Sequence, residues 1–167
     1  MQNKLYSYAK KCLGLTLAPT YRDLGCVESL QAVFKGATGL TLNDSPSTSK
    51  LYISLQKDKR FIPVTEPIQG DIIISPTGYG NGLVVNGHTG IISDSGKVMS
   101  NNSKTLKWSE HITLEYWKKR YGNVGGMPVK FFRYCEPVEA TPEQETILRQ
   151  IIAKLQEMIA LILNKRK

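Results

Sequence analysis

A cysteine at the predicted start of a helix is the first residue of this sequence that could carry covalent chemistry. Cys26 stands in "LGCVES", directly after Gly25, and an apolar run compatible with a helix follows it. Free backbone N–H groups and the helix dipole at such a position lower a thiol pKa and favour the nucleophilic thiolate. Gly25 permits a tight turn and the close approach of a substrate backbone. Cysteine is also a small hydrophobe that is often buried, so position alone leaves a nucleophile and a core residue as alternatives.

A thiol nucleophile needs a base, and the chain has two histidines. His88 stands in "NGHTGIIS", where a glycine turn enters an apolar strand. From the mouth of a strand, an imidazole can reach a helix start that packs across the sheet; the alternative is a polar residue at a loop edge. His111, in "SEHITLEYW", is predicted near the start of a short helix, where a surface residue is the simpler interpretation.

A third group must orient the imidazole of such a pair. "KVMSNNS" follows His88 after one short hairpin, so Ser100, Asn101 and Asn102 are expected on the neighbouring strand. An asparagine side-chain oxygen can accept the Nδ1–H of the ring. An Asn–Asn pair at a strand end is otherwise a common turn former. The prediction of an active site therefore depends on the cysteine, the histidine and the asparagine together, and none of the three supports it alone.

The cysteine count limits the other chemistry that the chain can do. Cys12, Cys26 and Cys135 are three in number and widely spaced, so they do not form a disulfide framework, and no CxxC pair indicates zinc. Cys12 lies on the apolar side of a predicted helix and Cys135 ends a predicted strand, so core or surface thiols are the better interpretation for both. The sequence predicts at least one free thiol, no metal and no cofactor.

These residues are carried by a predicted α+β domain of ordinary size. Apolar residues recur at helical spacing over residues 3–13 and 26–35, and Ser47 or Thr48 can cap a short helix over 49–57. Apolar runs predict strands at "RFIPV", "DIIIS", "GHTGIIS", "KVMSN" and "PVKFFRYC", and "TLEYWKKRYG" predicts a short helix. Helices followed by short strands favour a small antiparallel sheet over alternating βαβ units.

The C-terminal residues form a separate predicted segment. Prolines and glutamates in "EPVEATPEQ" indicate a linker, so we predict a domain over 1–136, a linker over 137–142 and an amphipathic helix over 143–167. The apolar stripe of that helix has 3-4 spacing. Its members, followed by their apolar flanks, are Leu148, Ile151, Leu155, Met158 and Ile162, then Ile147, Ile152, Ile159 and Leu161. Such a wide stripe predicts a homo-oligomer; contact with an anionic membrane, favoured by the terminal "NKRK", and packing on the domain are the alternatives.

The charge balance indicates the class of partner. The formal net charge is +8, which favours polyanions: nucleic acid, anionic lipid or the acidic polymers of a bacterial envelope. The lysines and arginines are spread along the chain without a recognition motif, which argues against nucleic acid. The first nineteen residues lack the apolar core of a signal peptide, and "MIALIL" is too short to span a bilayer. We therefore expect synthesis in the cytoplasm and release by other means before any action outside.

Five stretches of this sequence resemble motifs of one enzyme group. "LGCVES", "GDIIISPTG", "GHTGI", "VMSN" and "YGNVGGMPVKFFR" are similar to "LGCAES", "GDVIISPTG", "GHVGI", "IMSN" and "Y…GGYPVYFFR" of phage-type CHAP-like peptidases. These belong with the CHAP and NlpC-type cell-wall amidohydrolases, and the likeness covers about residues 20–134. It implies a papain-like fold, in which the nucleophile begins a helix that packs on a small antiparallel sheet.

The same resemblance implies roles for individual residues. Cys26 would be the nucleophile, His88 the base and Asn101 the orienting group, with Ser100 as the alternative third member. Gly25, Glu28 and Asn102 would support the site, Glu28 by polarising His88 or by fixing the helix start.

The implied reaction is attack on an amide of a peptidoglycan stem peptide or cross-bridge, through a thioester that water hydrolyses. Bacterial peptidoglycan would then be the partner, and an endolysin-like hydrolase acting on the cell wall the function. Two alternatives stay open: a non-catalytic CHAP-like envelope-binding module that assembles through its C-terminal helix, and a nucleic-acid-binding protein.

Overall fold

Six antiparallel strands form one sheet in the described part of the chain, which in this computed structural model comprises residues 4–81, 86–136 and 142–164. The strands are β1 (Phe61–Val64), β2 (Ile72–Ser75), β3 (His88–Ile92), β4 (Lys97–Asn102), β5 (Lys107–Thr113) and β6 (Lys130–Tyr134). Their order is β1-β6-β2-β3-β4-β5. Together with the helices, this sheet confirms the predicted α+β class.

Helices cover both faces of the sheet. On one face lie α1 (Lys4–Lys11), α2 (Cys26–Thr38) and α3 (Thr48–Lys57), and on the other α4 (Leu114–Trp117) continues into a π-helix over Lys118–Val124. Ser47 caps α3, as predicted, by accepting a hydrogen bond from the Lys50 N–H. Gly39 ends α2 at a φ of 74°, a left-handed conformation that favours glycine.

The two faces bury different side chains. Ile72, Ile74, Ile91 and Met99 share one core with residues of α1, α2 and α3, such as Leu30. The opposite core contains Ile73, Ile92, Val98, Trp117, Tyr121, Met127 and Phe131. Successive strand residues point to opposite faces, so a sheet that is covered on both sides needs continuous apolar runs such as "III" at 72–74.

The aspartate of "GDIIIS" has a structural role. Asp71 is fully buried at the start of β2, and its carboxylate accepts hydrogen bonds from Arg133 Nε and Nη2 at 3.0 and 2.9 Å. It also accepts the Ile68 N–H at 2.8 Å. This two-pronged ion pair joins the entry of β2 to β6, and its geometry satisfies a charge that would otherwise be costly to bury.

Strand β5 was missing from the sequence prediction. It lies at an edge of the sheet, and its residues, "KWSEHIT", are mostly polar and at least partly exposed. His111 lies in this strand, shortly before Thr113 caps α4, and it is exposed, as expected for a surface residue near a helix start. Trp108 is the fully buried residue of β5, and its Nε1–H donates to the Ala9 carbonyl at 3.1 Å, which fixes α1 to the edge of the sheet.

The chain divides into two compact units, Met1–Cys135 and Glu136–Lys167. Most of the predicted linker lies outside the described residues, since 137–141 are not among them. The second unit contains α5 (Pro142–Asn164). Its large apolar side chains are between 47% and 62% exposed. Within the described residues, no helix combines the length and apolarity needed to cross a membrane.

Candidate active site

Cys26 is the first residue of α2, as the sequence predicted, and follows a 3-10 turn over Arg22–Leu24. Gly25 before it has an ordinary φ of −79°. A Cβ atom at Gly25 would lie 2.1 Å from the Ala18 Cβ atom. The glycine is therefore needed because the segment around Ala18 approaches it closely. The sequence had suggested that a substrate backbone would approach at this position.

The Cys26 thiol is buried, and burial dominates its acidity. Burial raises the pKa of the thiol to about 11, although the backbone N–H groups of Thr89, Val27 and Cys26 favour the thiolate. The backbone N–H groups thus lower the thiol pKa, as expected at a helix start, but removal of the thiol from water raises that pKa by more. The thiol is neutral near pH 7.

His88 begins β3, and its imidazole is enclosed by aromatic rings. The ring stacks on Trp117 with centroids 5.2 Å apart and on Tyr121 with centroids 6.0 Å apart. Trp117 is itself fixed, because its Nε1–H donates to the Ser75 hydroxyl at 3.0 Å. Burial lowers the pKa of His88 to about 3, and the charges of His111 and Arg120 act in the same direction. The imidazole is therefore neutral near pH 7.

Ser100, and not Asn101, contacts the imidazole. His88 Nε2 and Ser100 Oγ are 3.1 Å apart and share a hydrogen bond. Asn101 is the next residue of β4, so its side chain points to the other face of the sheet. There its Nδ2–H donates to the Arg22 carbonyl at 2.7 Å, while its Oδ1 atom is buried without a partner. The predicted contact between Asn101 and His88 is thus corrected by one residue.

Cys26 and His88 lie near each other but are not hydrogen-bonded. Cys26 belongs to the core beneath α1 and α2, and the backbone N–H of Thr89, the neighbour of His88, acts on its thiol. His88 stacks on Trp117, a residue of the other core. Within the described residues, no hydrogen bond joins the thiol to the imidazole, so direct contact between nucleophile and base stays a prediction.

Both residues nevertheless border one cavity of about 1000 Å³. Its described lining includes Asp23, Leu24, Asn86, Gly87, Asn101, Asn102, Lys104, His111, Tyr116, Arg120 and Tyr121. Cys26, both histidines and the two predicted asparagines, Asn101 and Asn102, thus border the same cavity. It is large enough for several residues of a peptide.

The supporting residues have local structural contacts. Glu28 accepts the N–H groups of Thr20 and Tyr21 at 3.2 and 3.0 Å, so it fixes the segment before the helix and is not hydrogen-bonded to His88. Asn102 accepts the Lys104 N–H at 2.9 Å and shapes the turn after β4. Of the two roles expected for Glu28, the geometry favours fixing the helix start.

The aromatic and cationic part of this site was not predicted from the sequence. Trp117 and Arg120 lie on α4 and the π-helix and belong to no quoted motif, whereas Tyr121 begins "YGNVGGMPVKFFR" but was given no role there. A π-helix is rare and frequently occurs at functional sites, but its sequence has no recognised signature. A further signal was the density of aromatic and basic residues in "YWKKRYG".

The remaining cysteines and the metal-ligating residues are arranged as follows. All three cysteines are free; Cys12 is buried in the same core as Cys26, and Cys135 is exposed. Burial raises the pKa of the Cys12 thiol. Over the residues that the structure describes, no group of three or more His, Cys, Asp or Glu side chains could hold a metal ion.

Comparison with known proteins gives no assignment. No protein-family model matches this sequence, and no curated protein matches it.

Proposed function

We propose that this protein is a peptidoglycan hydrolase of papain-like fold that cleaves an amide bond through Cys26. The observation that carries the proposal is the position of Cys26: it begins a 13-residue helix and borders a cavity of about 1000 Å³ that an imidazole and two asparagines also line. The motifs shared with CHAP-like peptidases and the excess of basic residues support a cell-wall polymer as the substrate.

The proposed reaction is acyl transfer. His88 accepts the thiol proton while Sγ attacks the amide carbon, and the Cys26 backbone N–H stabilises the oxyanion. The imidazolium then gives the proton to the leaving amine, and a thioester remains. His88 deprotonates a water molecule that hydrolyses the thioester, which releases a carboxylic acid and restores the thiol.

This reaction requires the thiol and the imidazole to come into contact, since the two neutral groups are not hydrogen-bonded in the resting structure. In the proposal, His88 gives up its hydrogen bond to Ser100 as it turns towards Cys26. Asn101 has a buried Oδ1 atom without a partner on the Cys26 side. An imidazole N–H that arrived there would satisfy this acceptor, and Asn101 would then orient the base. In the proposal, substrate bound in the cavity favours this position of the imidazole beside Asn101.

Digestion of purified peptidoglycan, with mass spectrometry of the newly formed termini, tests the proposal. The wild-type chain should release one new carboxyl terminus for each new amino terminus. Cys26→Ala and His88→Ala should release neither, and His111→Ala, which alters the exposed histidine of the same cavity, should retain most of the activity. Full hydrolysis by Cys26→Ala would refute the proposed role of the thiol.

A second candidate function is a non-catalytic envelope-binding module. The lack of a hydrogen bond between Cys26 and His88 favours it, because burial keeps the thiol neutral and no contact with the imidazole activates it in the resting structure. Such a module would bind peptidoglycan in a sedimentation assay with unchanged affinity after Cys26→Ala, and would release no termini. The two functions therefore give opposite results in the same digestion experiment.

We also propose that the protein is a homo-oligomer joined through residues 143–167. The exposed side chains of α5 repeat at heptad spacing, and Ile152 and Ile159 extend the apolar surface beyond a two-stranded seam. A heptad seam is complementary to another copy of itself, so the same segment of a second chain is the proposed occupant. Contact with anionic lipid is the competing outcome and would appear as vesicle binding by a monomer.

A further inference from the structure

The cavity that borders Cys26 has an excess of positive charge. Among its described lining residues, Lys104 and Arg120 are cationic, the imidazoles of His88 and His111 are present, and Asp23 is the one carboxylate. A concave site with charge of one sign raises the local concentration of ligands of the other sign. The cavity is therefore suited to a ligand that carries negative charge.

Arg120 is held in place by aromatic residues. It lies in the π-helix, where its carbonyl accepts the Gly125 N–H at 2.9 Å. Its guanidinium carbon lies 5.6 Å from the centre of the Tyr121 ring. The nearby hydroxyls of Tyr121 and Tyr116 raise the pKa of the guanidinium. The contact with the Tyr121 ring positions the group without neutralising its charge.

Arg120 also differs from the arginines that have structural partners. Arg60 pairs with Asp58 and Arg133 pairs with Asp71, with nitrogen–oxygen distances of 2.6 and 2.9 Å. Among the described residues, Arg120 forms no ion pair. A guanidinium has five N–H donors in a planar fork that matches a carboxylate, and the tyrosine hydroxyls occupy only part of that fork.

Arg120 lies near the proposed chemistry. Its neighbour Tyr121 stacks on His88, and the charge of Arg120 lowers the pKa of that imidazole. A ligand group that bound Arg120 would consequently lie close to the bond that Cys26 attacks.

We propose that Arg120 binds a carboxylate of the substrate, so that the cavity selects peptides with a free carboxylate near the scissile amide. This inference rests on the proposed function, because it names the substrate class of the same site. Pairing with a carboxylate would also remove the repulsion between Arg120 and a protonated His88, which would make the imidazole a better proton acceptor once substrate is bound.

The test is a binding measurement that does not depend on turnover. Full-length Cys26→Ala is titrated with two synthetic probes, the tripeptide L-Ala-γ-D-Glu-L-Lys amide with a free glutamate α-carboxylate and the same peptide with that group amidated. The acid should bind about tenfold or more tightly than the amide, as expected for hydrogen bonds to a charged group. Adding Arg120→Gln should abolish the difference, whereas Lys119→Gln, a neighbouring exposed lysine outside the cavity lining, should preserve it.

Equal affinity for both probes, no binding of either, or an unchanged preference in Arg120→Gln would overturn the inference. Thermal unfolding of each variant checks that the fold is intact. Selective binding of the acid by a protein that releases no termini from peptidoglycan would retain this inference and reject the proposed hydrolysis. Hydrolysis by the wild type without a preference for the acid would retain the proposed hydrolysis and reject this inference.

Discussion

The Nε2 atom of His88 lies 3.1 Å from the Ser100 hydroxyl, and within the described residues no hydrogen bond joins this imidazole to the Cys26 thiol. The candidate base and nucleophile of the resting site are both neutral near pH 7. This site and the exposed stripe of α5 lead to four predictions.

The first prediction concerns the pH dependence of stability. The unfolded chain protonates His88 near the ordinary imidazole pKa of 6.5, whereas burial lowers the folded pKa to about 3. Between these values the unfolded state binds more protons, so this residue makes the free energy of unfolding fall as the pH falls from 6.5 towards 3. The slope is at most about 1.4 kcal/mol per pH unit. Urea unfolding at a series of pH values measures it.

His88→Phe should reduce that slope, because it keeps an aromatic ring beside Trp117 but cannot bind a proton. Ser100→Ala is the matched control: it removes the hydrogen bond and leaves the half-buried imidazole against Trp117, so the slope should remain. A wild-type slope in His88→Phe would show that the imidazole is not the source of this pH dependence.

The second prediction concerns thiol reactivity. Cys135 is exposed, whereas Cys26 is buried and its pKa is raised to about 11. Because the thiolate is the reacting form, iodoacetamide at pH 8 should modify Cys135 first and Cys26 slowly. Peptide mapping by mass spectrometry gives the rate at each site. Modification of Cys26 as fast as Cys135 would contradict the buried, neutral thiol.

The third prediction separates Ser100 from Asn101. If His88 must leave Ser100 to act, then Ser100→Ala should preserve or increase kcat for peptidoglycan hydrolysis. Asn101→Ala should decrease kcat, because the unpartnered Oδ1 atom can no longer orient the imidazole beside Cys26. Circular dichroism of both variants confirms folding. A large loss in Ser100→Ala with none in Asn101→Ala would mean that the imidazole works from its resting position.

The fourth prediction concerns assembly. Burial of one large apolar side chain is worth about 1.5–3 kcal/mol, so the exposed stripe of α5 favours association of copies. Light scattering on the full chain should give a mass of at least three protomers. Leu155→Glu with Ile159→Glu should produce monomers, whereas Gln156→Glu, between them on the helix, should not. A monomeric wild-type protein would exclude the bundle.

The secondary structure followed from local patterns wherever those patterns were strong. The apolar period placed α2 and its first residue, Cys26, and the hairpin "GHTGIISDSGKVMSN" placed β3 beside β4. Strand β5 escaped prediction because an edge strand with mostly polar side chains, of which only Trp108 is buried, has no apolar period.

The choice between Ser100 and Asn101 could not be made from the sequence. Helices cover both faces of the sheet, so Val98, Met99, Ser100 and Asn101 are all buried, and no alternation of polar and apolar residues shows which face each occupies. The predicted lowering of the Cys26 thiol pKa was wrong for a related reason. The N–H groups at a helix start can be inferred from the sequence, but the depth of burial cannot. Arg120 reaches the site through long-range packing that no motif encodes, and the motif that begins at Tyr121 does not show that its ring stacks on His88.

The most direct test of the central claim is the release of new termini from purified peptidoglycan by wild-type protein, Cys26→Ala and Cys135→Ala, assayed side by side by mass spectrometry. We predict matched new carboxyl and amino termini for the wild type and Cys135→Ala, and none above background for Cys26→Ala. Equal release by Cys26→Ala and the wild type, or no release by any of the three, would contradict a hydrolase that acts through Cys26.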